Sequence, residues 1–253
     1  MSEPPLRIVV VGNSMGLFVR PPRERAEDGP YAEVLERELL ARGWSAQVTN
    51  SSSWTLLLTD ALRRVEPLVL HHSPRVAIIN FGLFECQTIT LPTSVFRWLN
   101  HPYARGGVAR AVRQRVGLRV IAFYKWMTPR LPQGVPFPKR TAPQRFEEEL
   151  RSLVSNIRKE SGAEVLLLTN PPPGARIAQT LRDIEENAEA YSAIIREVGT
   201  TSGPGVHVVE LAPIARALPL EESMPDGLHF SVEGHRLVGR HLADEVEKLL
   251  GRR

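Results

Sequence analysis

Two hydrophobic periodicities alternate along this chain. Short, β-branched apolar runs bounded by glycine, proline or polar turns match buried strands, while longer stretches with apolar residues every three or four positions match amphipathic helices. Leu6 to Val11 predicts a first strand, Tyr31 to Arg42 a helix stopped by Gly43, and Trp44 to Val48 a second strand leading into the polar turn at residues 50–53. Thr55 to Val65 predicts a helix, Arg75 to Phe81 a third strand closing on Gly82, and Gln144 to Glu160 an amphipathic helix ending near Gly162. Val165 to Thr169 predicts a strand broken by the prolines at 171–173. Thr180 to Val198 then predicts a helix, Val206 to Leu211 a fifth strand and Gly234 to Leu250 a closing helix. Strands that alternate with helices pair in parallel, so the expected fold is α/β, a three-layer α/β/α sandwich around a parallel five-stranded sheet. Residues 1–253 read as a single domain, without repeats or a linker. Ligands of such sheets sit beyond the carboxyl ends of the strands, which would gather Ser14, Ser53, Gly82 and Asn170 on one rim.

Composition narrows the class. A hydrophobic content of 42% and a charged content of 24% suit a globular chain with a sizeable core. No apolar run approaches the ~18 to 20 residues of a membrane span. The start, MSEPPLRIVVVG, lacks the basic flank and long apolar middle of a signal peptide, so a cytoplasmic location is expected. The single cysteine, Cys86, excludes an internal disulfide and a Cys-rich zinc site. The net charge of +4 conceals an asymmetry: residues 87–145 hold eleven Lys or Arg and no Asp or Glu, whereas the remainder is net acidic. The same segment carries seven of the sixteen aromatic residues. It lies between the third strand and the helix that starts near Gln144, and reads as a helical, lid-like insert at about 87–143.

Two short segments carry candidate chemistry. VVVGNSMG, residues 9–16, places Ser14 between two glycines directly after a strand. Glycine and asparagine tolerate sharp turns, so the segment reads either as turn chemistry alone or as a nucleophile held on a tight corner. PDGLHFSVEGHR, residues 225–236, sets Asp226 three positions before His229 in a turn just upstream of the last helix. A carboxylate at that spacing can fix the tautomer of an imidazole that takes up a proton; the plainer reading is a turn followed by a capping or packing histidine. His235 and His241 fall within the helix pattern and read as surface or packing residues. Cys86 reads as a small buried hydrophobe, since a neighbouring Glu85 would raise its pKa. No cofactor or metal is expected, because neither a Walker-type phosphate loop nor His-Glu-x-x-His occurs.

Gly12-Asn13-Ser14, Asp226-Gly227-Leu228-His229 and the following Gly234-His235 resemble the SGNH, or GDSL-type, hydrolase superfamily, over nearly the whole chain except the basic insert. The resemblance implies the flavodoxin-like SGNH fold and a catalytic set of Ser14, Asp226 and His229, with Asn13 in place of the family's aspartate. The G-x-S-x-G elbow of the α/β-hydrolases also matches residues 12–16, but that elbow follows a mid-sheet strand and its acid lies far from its histidine. The resemblance further implies oxyanion donors at the Ser14 backbone and after the second strand, where Ser53 aligns. The family's third donor is the asparagine of a Gly-x-Asn-Asp run. This chain reads Gly82-Leu83-Phe84-Glu85, so Phe84 stands at that position and cannot donate, while Glu85 takes the place of the aspartate. Asn80 and Gln87 are the nearest amides in sequence. Ser14, Ser53, Asn80 and Gly82 are the expected oxyanion and substrate-binding residues.

The implied activity is that of a serine esterase acting on an acyl ester, an O-acylated sugar or small metabolite, through an acyl-serine. An acyltransferase using the same intermediate and a catalytically weak glycan- or lipid-binding protein are the competing readings. The expected partner is a small-molecule acyl ester. The arginines of the insert suit an anionic group on it, or peripheral contact with an anionic membrane. They equally suit a solvated lid with a small core of its own. No recognised module points to nucleic acid, and the oligomeric state is not set by the sequence.

Overall fold

The computed structural model describes residues 4–18, 29–88 and 138–251, with seven helical positions between 115 and 123. Five parallel strands, β1 (Leu6–Gly12), β2 (Ala46–Asn50), β3 (Val76–Asn80), β4 (Glu164–Leu168) and β5 (Val206–Val209), pair in the order β2-β1-β3-β4-β5. The order reverses direction at β1, the first strand in sequence, so the chain winds helices onto both faces. Registers such as Gly12 opposite Asn80 and Val10 opposite Asn50 bring the strand ends to one rim. Val9, Val10 and Val11 of β1, and every residue of β3, are buried on both sides, as expected of central parallel strands.

On one face lie α1 (Tyr31–Ala41) and the long C-terminal helix (Val232–Leu250), whose Gly239 leaves no room for a side chain against Val34 and the Tyr31 carbonyl. On the other lie α2 (Leu58–Arg63), the helix Pro143–Ser161 and the helix Ile184–Thr201; the middle helix packs on both others, α2 also on β1, and the two long helices on β4 and, for the last, β5. The α/β sandwich read from the sequence is the observed architecture, with shifts at element ends. The second strand starts two residues later than expected because Trp44 N bonds back to Leu39 O, closing the helix end. The helix expected from Thr55 starts at Leu58, since Leu56 N bonds to Ser53 O and residues 53–56 form a turn at the rim. The helix expected over 180–198 runs from Ile184.

Most of the insert lies outside the described residues. Its base is described: Thr88 and Lys139 form an antiparallel bridge, Arg140 N bonds to Gln87 O and Thr141 N to Glu85 O. The chain therefore leaves and returns to the sandwich at one narrow neck beside the rim. No helix among the described residues is long and apolar enough to cross a membrane.

Candidate active site

Ser14 owes its position to the end of β1. A Cβ on Gly12 would lie 2.6 Å from the Asn80 carbonyl oxygen, so only glycine permits β1 and β3 to close up there. The chain then turns sharply. Asn13 caps the single 3-10 turn Ser14–Gly16, its Oδ1 accepting from Met15 N at 3.2 Å, and this lifts the Ser14 hydroxyl onto the rim.

The opposite partner arrives from the far end of the sequence. Ser14 Oγ and His229 Nε2 are 2.9 Å apart, and His229 Nδ1 and Asp226 Oδ2 are 2.8 Å apart. A carboxylate only accepts, so Nδ1 carries a proton, and in the neutral ring Nε2 faces the serine hydroxyl as an acceptor. The other carboxylate oxygen of Asp226 accepts from Leu228 N at 2.9 Å and His229 N at 2.7 Å. Burial by itself would raise this carboxyl, but the ring of His229 and the two backbone donors hold it well below the usual carboxylate range. The corner between acid and base needs Gly227, whose φ of +82° is left-handed, and Gly174 N bonds to Gly227 O at 3.0 Å to brace it.

Ser14 and His229 open onto a cavity of about 570 Å³. Asn13, Ser53, Thr55 and Gln87 are its other polar lining residues among those described. Met15, Trp54, Leu83, Phe84 and Leu228 make the rest of the wall apolar. Trp54 is 55% exposed and sits edge-on to the His229 ring, with centroids 6.5 Å apart. An aromatic after the Ser51-Ser52-Ser53 run was the available sequence signal for this residue.

Three of the residues expected to bind an oxyanion are engaged elsewhere. Ser53 lines the cavity, but its N–H continues the β1–β2 pairing by donating to Gly12 O at 3.1 Å. The first N–H groups of that loop without a partner among the described residues are those of Trp54 and Thr55, in the turn. Asn80 is buried and its amide donates to the Tyr31 hydroxyl at 2.9 Å, beneath the sheet end rather than into the cavity. Gly82 N donates to Glu85 Oε2 at 2.9 Å and is spoken for. Asn170 likewise turns inward, its amide donating to Ala188 O.

Glu85 is fully buried and bridges two loops, its second oxygen accepting from Leu58 N at 3.2 Å. Burial pushes its carboxyl up to about 7 against the pull of those backbone donors and of Arg140. The Cys86 thiol beside it is pushed up by burial and by Glu85, which suits an inert core residue. His235 is also a packing residue: its ring lies among Phe18, Tyr31 and Phe230, and Nδ1 accepts from Tyr31 N. Burial lowers it to about 4, outweighing the Leu17 backbone. No group of three or more His, Cys, Asp or Glu able to hold a metal ion occurs among the described residues.

The fold has many solved counterparts. A lipase/acylhydrolase from Enterococcus faecalis superposes with a TM-score of 0.62 at 18% identity, over 96% of this chain and 95% of that one. An acetylxylan esterase from Geobacillus stearothermophilus gives 0.61 at 16% identity, over 95% and 93%. Comparison with curated proteins by sequence returns no significant match. Residues 10–237 match the GDSL-like lipase/acylhydrolase family, a span that includes Ser14, Asp226 and His229, and on that match the chain belongs to this family.

Proposed function

We propose that the protein is a serine esterase that cleaves an acyl ester through an acyl-serine intermediate. The observation that carries this reading is the line Ser14 Oγ, His229 Nε2, His229 Nδ1, Asp226 Oδ2, with contacts of 2.9 and 2.8 Å. Ser14 Oγ attacks the ester carbonyl while His229 Nε2 takes its proton, and the carbonyl electron pair moves onto oxygen. Collapse of that intermediate breaks the bond to the alcohol, which leaves with the proton from His229. Water then repeats the sequence, releasing the acid and restoring Ser14. Asp226, kept ionised, stabilises the imidazolium at both stages. The Ser14 N–H and the N–H groups of the Trp54–Thr55 turn, which have no partner among the described residues, are the backbone donors for the oxyanion.

The apolar wall suits the acyl side of the substrate, and the exposed Trp54 beside His229 suits the face of a sugar on the alcohol side. An O-acylated sugar is therefore our substrate class, a choice supported by the acetylxylan esterases among the similar structures. Incubation with p-nitrophenyl esters and with acetylated xylo-oligosaccharides tests it. Turnover lost in Ser14→Ala and His229→Ala supports the reading. A burst of acylation that proceeds only when an alcohol is added would replace hydrolysis by acyl transfer, and absence of any Ser14 acylation would end it.

A further inference from the structure

We propose that Gln87 donates the side-chain hydrogen bond to the oxyanion and that Arg140 holds its amide in place. The proposal rests on the acyl-serine reading above. An oxyanion formed at Ser14 must be met by donors that line the cavity shared by Ser14 and His229. The Ser53 and Gly82 N–H groups and the Asn80 amide are committed elsewhere. Asn13 Nδ2 is unpartnered, but the atom is sealed from solvent and out of a ligand's reach.

Gln87 differs on each count. Cys86 N bonds to Gly82 O at 2.8 Å, so residues 82–86 make one helical turn, and Gln87 follows it directly. Continued by one residue, a turn of that pitch brings position 87 to the side of 83 and 84. Those three line the cavity, while Glu85 and Cys86 are fully buried on the other side. Phe84 offers a ring and no donor; Gln87 follows it by three residues, with a longer side chain than asparagine. The orientation of its amide is set by chemistry. Arg140 Nη2 meets Gln87 Oε1 at 3.5 Å, and a guanidinium can only donate, so the amide oxygen faces Arg140 and the NH₂ group turns away. No partner for that NH₂ group occurs among the described residues. Arg140 is itself anchored: Nε donates to Phe84 O at 3.2 Å, its backbone N–H to Gln87 O at 3.0 Å, and its guanidinium lies 4.0 Å from the centre of the Phe84 ring. Gln87 is thereby a catalytic residue and Arg140 a positioning residue, and the neck of the insert is tied to the chemistry.

The test is the rate constant for fluorophosphonate labelling of Ser14 together with kcat and KM on p-nitrophenyl butyrate. Gln87→Ala and the near-isosteric Gln87→Glu are each expected to lower the labelling rate and kcat by ~10² to 10³, with KM changed by less than about threefold. Equal thermal midpoints for wild type and Gln87→Glu separate a lost donor from a lost fold. Phe84→Asn added to Gln87→Ala is expected to recover activity by about tenfold or more, because it returns an amide one turn earlier on the same side. Arg140→Met is expected to slow the wild type but not the Gln87→Ala variant. Wild-type labelling rates in Gln87→Ala, with Ser14→Ala unlabelled, overturn the role of Gln87 and leave the acyl-serine intact. A wild-type protein that is not labelled at all overturns both.

Discussion

The two sides of the site are assembled by opposite means. The proposed acid–base pair is local: Asp226 and His229 lie in one turn, and a single carboxylate holds both the ring and the backbone of that turn. The proposed oxyanion side is assembled from distant pieces, the corner after β1, the turn after β2 and the loop after β3. Glu85 clamps the last two by accepting from Leu58 N and Gly82 N. A local device fixes its own geometry and tolerates little change in its members. A distributed one can exchange donors, provided some amide or N–H still faces the same point. Phe84 with Gln87 one turn later has the form of such an exchange.

This contrast is broken most directly on the local side. Ser14→Ala or His229→Ala is expected to lower kcat by ~10⁴ to 10⁶, and the double variant by no more than the worse single one, because the two act as a unit. Asp226→Asn is expected to lower kcat by ~10³ to 10⁴. The amide has one acceptor atom where the carboxylate has two, so it cannot serve both His229 Nδ1 and the two backbone donors. Steady-state kinetics on a p-nitrophenyl ester reads all four variants. A loss for Asp226→Asn no greater than that for Gln87→Ala would mean that the two sides are equally tolerant.

The next effect concerns stability and belongs to the clamp. Glu85, raised to about 7, binds a proton more readily folded than unfolded, so its contribution is full below about pH 4.5 and is lost as pH rises through 7. His235, lowered to about 4, has the opposite sign: folding expels its proton, and stability is lost as pH falls from about 6.5 through 4. Each amounts to on the order of 3 kcal/mol, and between about pH 4.5 and 6.5 the two slopes oppose each other. Urea unfolding of the wild type is expected to vary little with pH in that window. Glu85→Gln is expected to lower stability outright by leaving one backbone donor poorly met, and to unmask a stability that climbs with pH. A flat profile in Glu85→Gln would show that His235 takes up its proton without resisting the fold.

The same local and distributed division explains what could be read from the sequence. The sheet was legible because five apolar runs carry their own periodicity, and Asp226 with His229 because the spacing of a turn is written in consecutive residues. Ser14 was legible from Gly12 and the polar turn beside it. The donors were not. That Ser53 N–H joins the β1–β2 pairing, or that Asn80 finds the Tyr31 hydroxyl, depends on how far two strands stay paired and on a helix from another part of the chain. Gln87 was visible only as a nearby amide; its place on the cavity wall and its contact with Arg140, some fifty residues later, are tertiary facts.

The smallest expected effect sharpens the comparison furthest, because it separates backbone strain from packing at the local corner. Gly227 and Gly43 share a φ of +82°, but a Cβ on Gly43 would meet nothing within 4 Å, whereas one on Gly227 would lie 3.0 Å from Ile177 Cγ2 and 3.2 Å from Gly174 O. Both alanine variants carry the left-handed penalty of about 1–2 kcal/mol. Gly43→Ala is expected to show that penalty in urea unfolding with kcat unchanged, since the residue lies at the end of α1, remote from the cavity. Gly227→Ala must also push against Ile177 and the braced Gly174 carbonyl, so its stability loss is expected to be larger. Any shift of that corner moves His229 relative to Ser14, and kcat should fall with it. Equal losses of stability and unchanged kcat in both variants would mean that the Asp226–His229 turn keeps its geometry through the bonds of Asp226 alone, without help from the chain packed behind it.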